Sequence, residues 1–133
     1  MGSNIEQHRP VVLVVDDESV IADTLAAILN QSGYIAIVAY DGEAGIEMAL
    51  IHPPELLVTD VMLPGMNGIE LAVTIRRIFP ECKVLLFSGH ATTSDLMMTS
   101  AIGGNQFELL TKPLHPTELI KYVETIFKQS QSS

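Results

Sequence analysis

Glu55-Leu56-Leu57-Val58-Thr59-Asp60-Val61-Met62-Leu63-Pro64-Gly65-Met66-Asn67-Gly68 joins an apolar run to a loop broken by proline and glycine, with an aspartate at the junction. A carboxylate placed where a buried strand runs out is held on a rigid support and is expected to point at solvent. Three other apolar runs also end in polar residues: Val11 to Val15 in Asp16-Asp17-Glu18, Val84 to Phe87 in Ser88-Gly89, and Phe107 to Leu110 in Thr111-Lys112-Pro113. If these runs are parallel strands of one sheet, the four polar clusters converge on one edge.

The spacing between the runs supports that arrangement. Pro10–Val15, Tyr34–Ala39, Glu55–Thr59, Lys83–Phe87 and Phe107–Leu110 read as short strands, and their continuous apolar character is that of strands covered on both faces. Helical patterns fill the gaps. The first spans Glu18 to Ser32, with Gly33 as a left-handed stop. A second spans Gly42 to Ile51, capped by Asp41 and ended by Pro53-Pro54. A third opens on a capping-box pattern of Asn67 and Glu70 and stops at Pro80. The fourth, opened by Thr92 and Asp95, runs through Met97, Met98 and Ile102 to Gly103-Gly104. The fifth starts near His115-Pro116 and carries Leu119, Ile120, Val123 and Ile126. Strands alternating with helices predict an α/β fold, a doubly wound five-stranded parallel sheet with helices on both faces. Such folds bind ligands at the carboxyl ends of the strands, near the reversal of strand order.

Size and charge narrow the possible functions. A chain of 133 residues fits one domain, which buries roughly two-thirds of its unfolded surface. We expect a flexible tail over residues 1–8, a domain over 9–128 and a flexible tail over 129–133. Sixteen acidic residues against seven Lys and Arg give a formal charge of −9, and the basic residues never form a run longer than two, so direct binding to nucleic acid is not expected. Cys82, the single cysteine, excludes an internal disulfide and a thiolate metal cluster. No apolar stretch is long enough to span a membrane and the first ten residues lack a signal-peptide core, so a cytoplasmic location is expected.

Taken singly, each polar residue at the strand ends has an ordinary explanation. Asp16 and Asp17 read as solvated or capping acids, Lys112 as a surface lysine, and Ser88 as a turn former before Gly89. Together, Asp16, Asp17 and Asp60 supply three carboxylates at adjacent strand ends. Like charges that close raise one another's pKa or demand a cation, and an all-oxygen set suits a hard divalent ion such as Mg²⁺. Opposite them, Lys112 offers a point charge for an oxygen of a phosphoryl group.

Val-Asp-Asp-Glu at 15–18, Asp60 with Met62, Pro64, Gly65, Asn67 and Gly68 behind it, Ser88-Gly89-His90, and Lys112-Pro113 resemble the receiver domain of two-component response regulators. The resemblance covers about Arg9 to Lys128. It implies a flavodoxin-like strand order 2-1-3-4-5 and phosphorylation of Asp60 by a sensor histidine kinase or phosphotransfer protein, with Mg²⁺ bound. It also implies that Asp17 ligates the metal directly, that Asp16 acts as a second acid, often through water, and that the Met62 backbone carbonyl completes the site. Lys112 then pairs with the phosphoryl group, and Ser88 is the switch hydroxyl. A homodimer or effector contact through the fourth helix, last strand and fifth helix follows from the same resemblance and from the adaptable methionines Met97 and Met98.

The chain departs from this pattern at the last strand. The family's aromatic switch position, three before the lysine, holds Leu109, and the aromatic Phe107 lies two residues earlier, so either can take that role. His90 and Met62, near the mouth of the site, are expected to modulate dephosphorylation more than phosphorylation. Three other readings compete with this one. A receiver cut from a longer regulator and a receiver-like module that binds without being phosphorylated both stay open, whereas an aspartate-nucleophile phosphatase of the haloacid-dehalogenase type needs a second acid where Met62 stands.

Overall fold

The computed structural model of the chain describes residues 8–89, 107–111 and 115–131. Strands β1 (Val11–Val15), β2 (Ile35–Ala39), β3 (Leu56–Asp60), β4 (Lys83–Ser88) and β5 (Glu108–Thr111) form one sheet in the order β2-β1-β3-β4-β5. Every neighbouring pair is parallel. This is the doubly wound α/β architecture and the strand order anticipated from the sequence.

Side chains alternate between two cores because successive residues of a strand face opposite ways. Val12, Val14, Leu56, Val58, Leu85 and Phe87 pack with Ala22, Leu25 and Leu29 of helix α1 (Ser19–Gln31) and with Leu119, Val123 and Ile126 of the closing helix (Pro116–Gln131). On the other face, Leu13, Val15, Leu57, Val84 and Leu86 meet Ala49 of α2 (Gly42–Ile51) and Ile69, Leu71, Ala72 and Ile75 of α3 (Gly68–Ile78). None of the described helices is long and apolar enough to cross a membrane.

Local signals set the element ends. Gly33 adopts φ +99° after α1, a conformation glycine takes without a Cβ penalty. Asp41 caps α2 by accepting the Ala44 N–H at 2.7 Å, and Asn67 and Glu70 form both halves of the capping box on α3. The Tyr34 and Phe127 rings stack 5.6 Å apart, fastening the closing helix beside β2.

Several boundaries differ from expectation by a residue or more. β3 and β4 each extend one residue further, taking in Asp60 and Ser88, because ladder pairing continues to the polar residue that ends each apolar run. The last strand begins at Glu108, leaving Phe107 ahead of it. β2 is an edge strand whose first residue, Ile35, is exposed, so its apolar run does not mark burial on both faces. The closing helix continues past Lys128 to Gln131, where a tail was expected. At the other end, His8 pairs with Glu55 at 3.0 Å. The expected fourth helix, with Met97, Met98 and Ile102, lies outside the described residues.

Cys82 sits in the core beside α3, and burial pushes its thiol up to about 12. A raised thiol pKa adds stability that is complete below the unfolded value near 9 and is lost as pH rises toward 12. Native protein at pH 8 should therefore react with a thiol reagent about a thousandfold more slowly than urea-unfolded protein. Equal rates in the two states would place the thiol at the surface.

Candidate functional site

The parallel register builds the site. Val15 of β1 pairs with Thr59 of β3, so Asp16 and Asp60 follow on adjacent strands at the same end of the sheet. β1 and β3 also flank the point where the strand order reverses, since β2 lies on the far side of β1. That is the crevice in which open α/β sheets receive ligands.

One carboxylate oxygen from each of Asp16, Asp17 and Asp60 lies within 4.8 Å of the other two. Asp17 is exposed, whereas Asp16 is fully buried and Asp60 only 5% exposed. Asp60 is thus a strand residue held at the surface of the core, a correction to the solvent-pointing carboxylate expected from its position at the end of the run. Backbone amides orient both buried acids. The Glu18 N–H donates to Asp16 Oδ1 at 2.9 Å, and the Met62 N–H donates to Asp60 Oδ1 at 3.0 Å. Three close carboxylates, with no histidine or cysteine among the grouped residues, fit one hard divalent cation, which prefers oxygen donors.

The loop after Asp60 is tied at both ends. Val61 donates its N–H to Phe87 O at 3.1 Å and accepts from the Gly68 N–H at 2.9 Å. Gly65 turns the chain at φ +72°. Gly68 lies so close to the end of β3 that a Cβ there would overlap the Asp60 carbonyl oxygen, and the Thr59 hydroxyl donates to that same oxygen at 3.0 Å.

Ser88 is the last residue of β4 and is 2% exposed. Its neighbour Phe87 pairs with Asp60, and Ser88 itself pairs with Thr111 of β5. Ser88 therefore stands one strand from Asp60 and directly beside the end of β5. Met62 presents a half-exposed side chain. Phe107 and Leu109 are both partly buried against the α2–α3 core, while Leu110 faces the opposite core. Lys112 and His90 lie outside the described residues.

The two amides on the acids and the close approach of Gly68 were not read from the sequence. Backbone donors leave no mark in residue type. Gly68 did leave one, as a glycine just after the Asn67 cap, a position where a helix gains nothing from glycine unless another chain segment passes close.

The family model described as response regulator receiver domain matches residues 12–124. Among curated relatives, the alkaline phosphatase synthesis transcriptional regulatory protein SphR of Synechococcus elongatus is 32% identical over 130 residues, covering 91% of this chain and 50% of the relative. PhoP of Bacillus subtilis, which bears the same descriptive name, is 35% identical over 120 residues, covering 90% and 49%. The chain spans about half the length of these relatives. Among solved structures, a CheY-like receiver domain from Methanospirillum hungatei superposes with a TM-score of 0.83 at 24% identity, covering 95% of this chain and 100% of that one. A two component transcriptional regulator AraC from Clostridium phytofermentans gives 0.75 at 31% identity, covering 92% and 99%. With a family match that takes in most of its length, the chain belongs to the response regulator receiver domains of two-component systems.

Proposed function

We propose that this chain accepts a phosphoryl group on Asp60 from a phosphohistidine of a sensor histidine kinase or phosphotransfer protein, and that the phosphorylated form presents a changed binding surface. The observation that carries this reading is the approach of Asp16, Asp17 and Asp60 to within 4.8 Å at one sheet edge, in a chain of the receiver family.

The chemistry asks little of the protein beyond positioning and charge. One oxygen of Asp60 forms a bond to phosphorus as the bond from phosphorus to the donor's imidazole nitrogen breaks, and the electron pair leaves with the ring. The Met62 amide, donating to Asp60 Oδ1, sets the rotation of the carboxylate for in-line approach. Mg²⁺ would be held by Asp17, Asp16 and Asp60 with the Met62 carbonyl, and when bound it supplies positive charge against the oxygens of the transferring group. Lys112 pairs with one of those oxygens, as the matching lysine of the family does.

Phosphorylation converts a carboxylate into an acyl phosphate with more negative charge and more acceptors. The Ser88 hydroxyl is drawn toward a phosphoryl oxygen. Because Ser88 is in register with Thr111, its movement bears directly on the end of β5 and on the chain that follows Ser88. Phe107, just ahead of β5, and Leu109, within it, both lean on the α2–α3 core and are the side chains placed to respond. His90 and Met62 tune the lifetime of the phosphoryl group by controlling the approach of water. The surface that changes includes β5 and the closing helix, and its partner is a protein or a second copy of the chain. With a formal charge of −9, the chain is itself a poor match for a phosphate backbone. The named relatives are about twice as long as the part they share with it.

Incubation with Mg²⁺ and a small phosphodonor should add a single phosphoryl group by intact mass, absent in Asp60→Asn and absent with EDTA. No uptake by the wild type under any condition would favour a receiver-like module that only binds. Mg²⁺ at ten times its dissociation constant should stabilise the fold by about 1.4 kcal/mol and raise Tm accordingly. A melting temperature unmoved by millimolar Mg²⁺ contradicts the metal assignment.

A further inference from the structure

Three small or glycine positions line the inner face of α2. Gly42, Gly45 and Ala49 are all buried, and a Cβ at Gly45 would press on Val15 Cγ2 at 3.2 Å. Gly42 is different in what it meets. A Cβ there would lie 3.1 Å from Met66 Cβ, 3.2 Å from Met66 Cγ and 3.2 Å from the Met66 carbonyl oxygen. The contact is therefore with the β3–α3 loop and not with the sheet.

That loop begins with the residues that orient Asp60. Its two ends are fixed through Val61, which donates to Phe87 O and accepts from Gly68 N–H. Its far side has a different support, since Met66 is partly buried against the α2–α3 core and comes down on the first residue of α2. A groove of about 370 Å³ is bounded by Asp41, Gly42 and Glu43 at the start of α2 and by Pro64, Gly65 and Met66 of the loop. A chain pinned at its ends shifts at its middle when the support beneath it grows.

We propose that Gly42 is a positioning residue: by carrying no side chain, it lets Met66 seat against α2 and so fixes the height of the β3–α3 loop, and with it the Met62 backbone that faces Asp60. The proposal rests on the metal-site reading above for its functional consequence, but its structural half stands without it. Packed interiors yield by shifting neighbours, and an added methyl is felt there. A shift of a few tenths of an ångström at a positioned group is costly, because a 1 Å misplacement costs about a hundredfold in rate. Gly42 opens α2, where alanine is the better helix former, so Gly42→Ala opposes the loop without weakening the helix.

The test follows two quantities in Gly42→Ala, Met66→Gly and the double variant: the amide proton shift of Met62 in metal-free protein, and the dissociation constant for Mg²⁺ alone. Gly42→Ala should move the Met62 amide and weaken Mg²⁺ binding about threefold or more, while Tm stays near that of the wild type. Met66→Gly in the same chain should move both values back toward the wild type, which a merely structural role for Gly42 would not do. Met66→Gly alone should move the Met62 amide by lifting the load from α2. An unmoved Met62 amide in either single variant, or no recovery in the double variant, overturns the proposal. If wild type binds no Mg²⁺, the metal reading fails, and the amide shifts still decide whether Gly42 sets the loop.

Discussion

The parallel pairing of β1 with β3 is the constraint on which everything else depends. With Val15 opposite Thr59, Asp16 and Asp60 emerge side by side, and the next strand adds Ser88 through the pairing of Phe87 with Asp60. A slip of one residue would turn every side chain of a strand to the opposite face, carrying Asp60 to the place opposite Val15 that Thr59 now holds. The apolar alternation that sorts Leu56 and Val58 to one core and Leu57 to the other is thus also what aims the carboxylate. Core packing and site geometry are fixed by the same register.

That register brings negative charges together at an energetic cost. Two unit charges about 5 Å apart repel by roughly 3 kcal/mol at an effective dielectric near 20, and by less where one of them is exposed, as Asp17 is. The protein meets part of the cost with amides, Glu18 N–H on Asp16 and Met62 N–H on Asp60. Each such charge-assisted bond contributes on the order of 1.5–3 kcal/mol. A divalent cation, which these three acids could hold, would offset the rest, most strongly at this edge, where two of the three acids are withdrawn from water. On the function proposed above, the phosphoryl group enters a site already organised around excess negative charge, and its arrival or loss would reach Ser88 and, through the register of Ser88 with Thr111, β5.

How much of this was written in the sequence depends on which interaction carried it. The placement of Asp16, Asp17, Asp60 and Ser88 at one sheet edge was legible because three apolar runs that end in polar residues converge once they are parallel strands, although each residue alone has an ordinary explanation. The capping box of Asn67 and Glu70 was legible because its chemistry is local. Burial of Asp60 was not, since the depth of a strand end depends on which neighbours continue beyond it. The exposure of Ile35 escaped for a related reason: an apolar run looks the same in an edge strand as in a central one. Phe107 read as a strand residue by type, yet the ladder begins at Glu108. The approaches of Gly68 to Asp60 and of Gly42 to Met66 are contacts across the fold, and a glycine in the sequence records only that something comes near.

The central proposal, that Asp16, Asp17 and Asp60 act as one divalent-cation site in which Asp60 is also the phosphoacceptor, is tested most directly by paramagnetic broadening of backbone amides on titration with Mn²⁺ in place of Mg²⁺. Substoichiometric Mn²⁺ should broaden the amides of Asp16, Asp17, Asp60, Val61 and Met62 first, and excess Mg²⁺ should restore them. Broadening that begins at other exposed acids, such as Glu43 and Glu47 on α2, or that spreads evenly over the acidic surface, would contradict it.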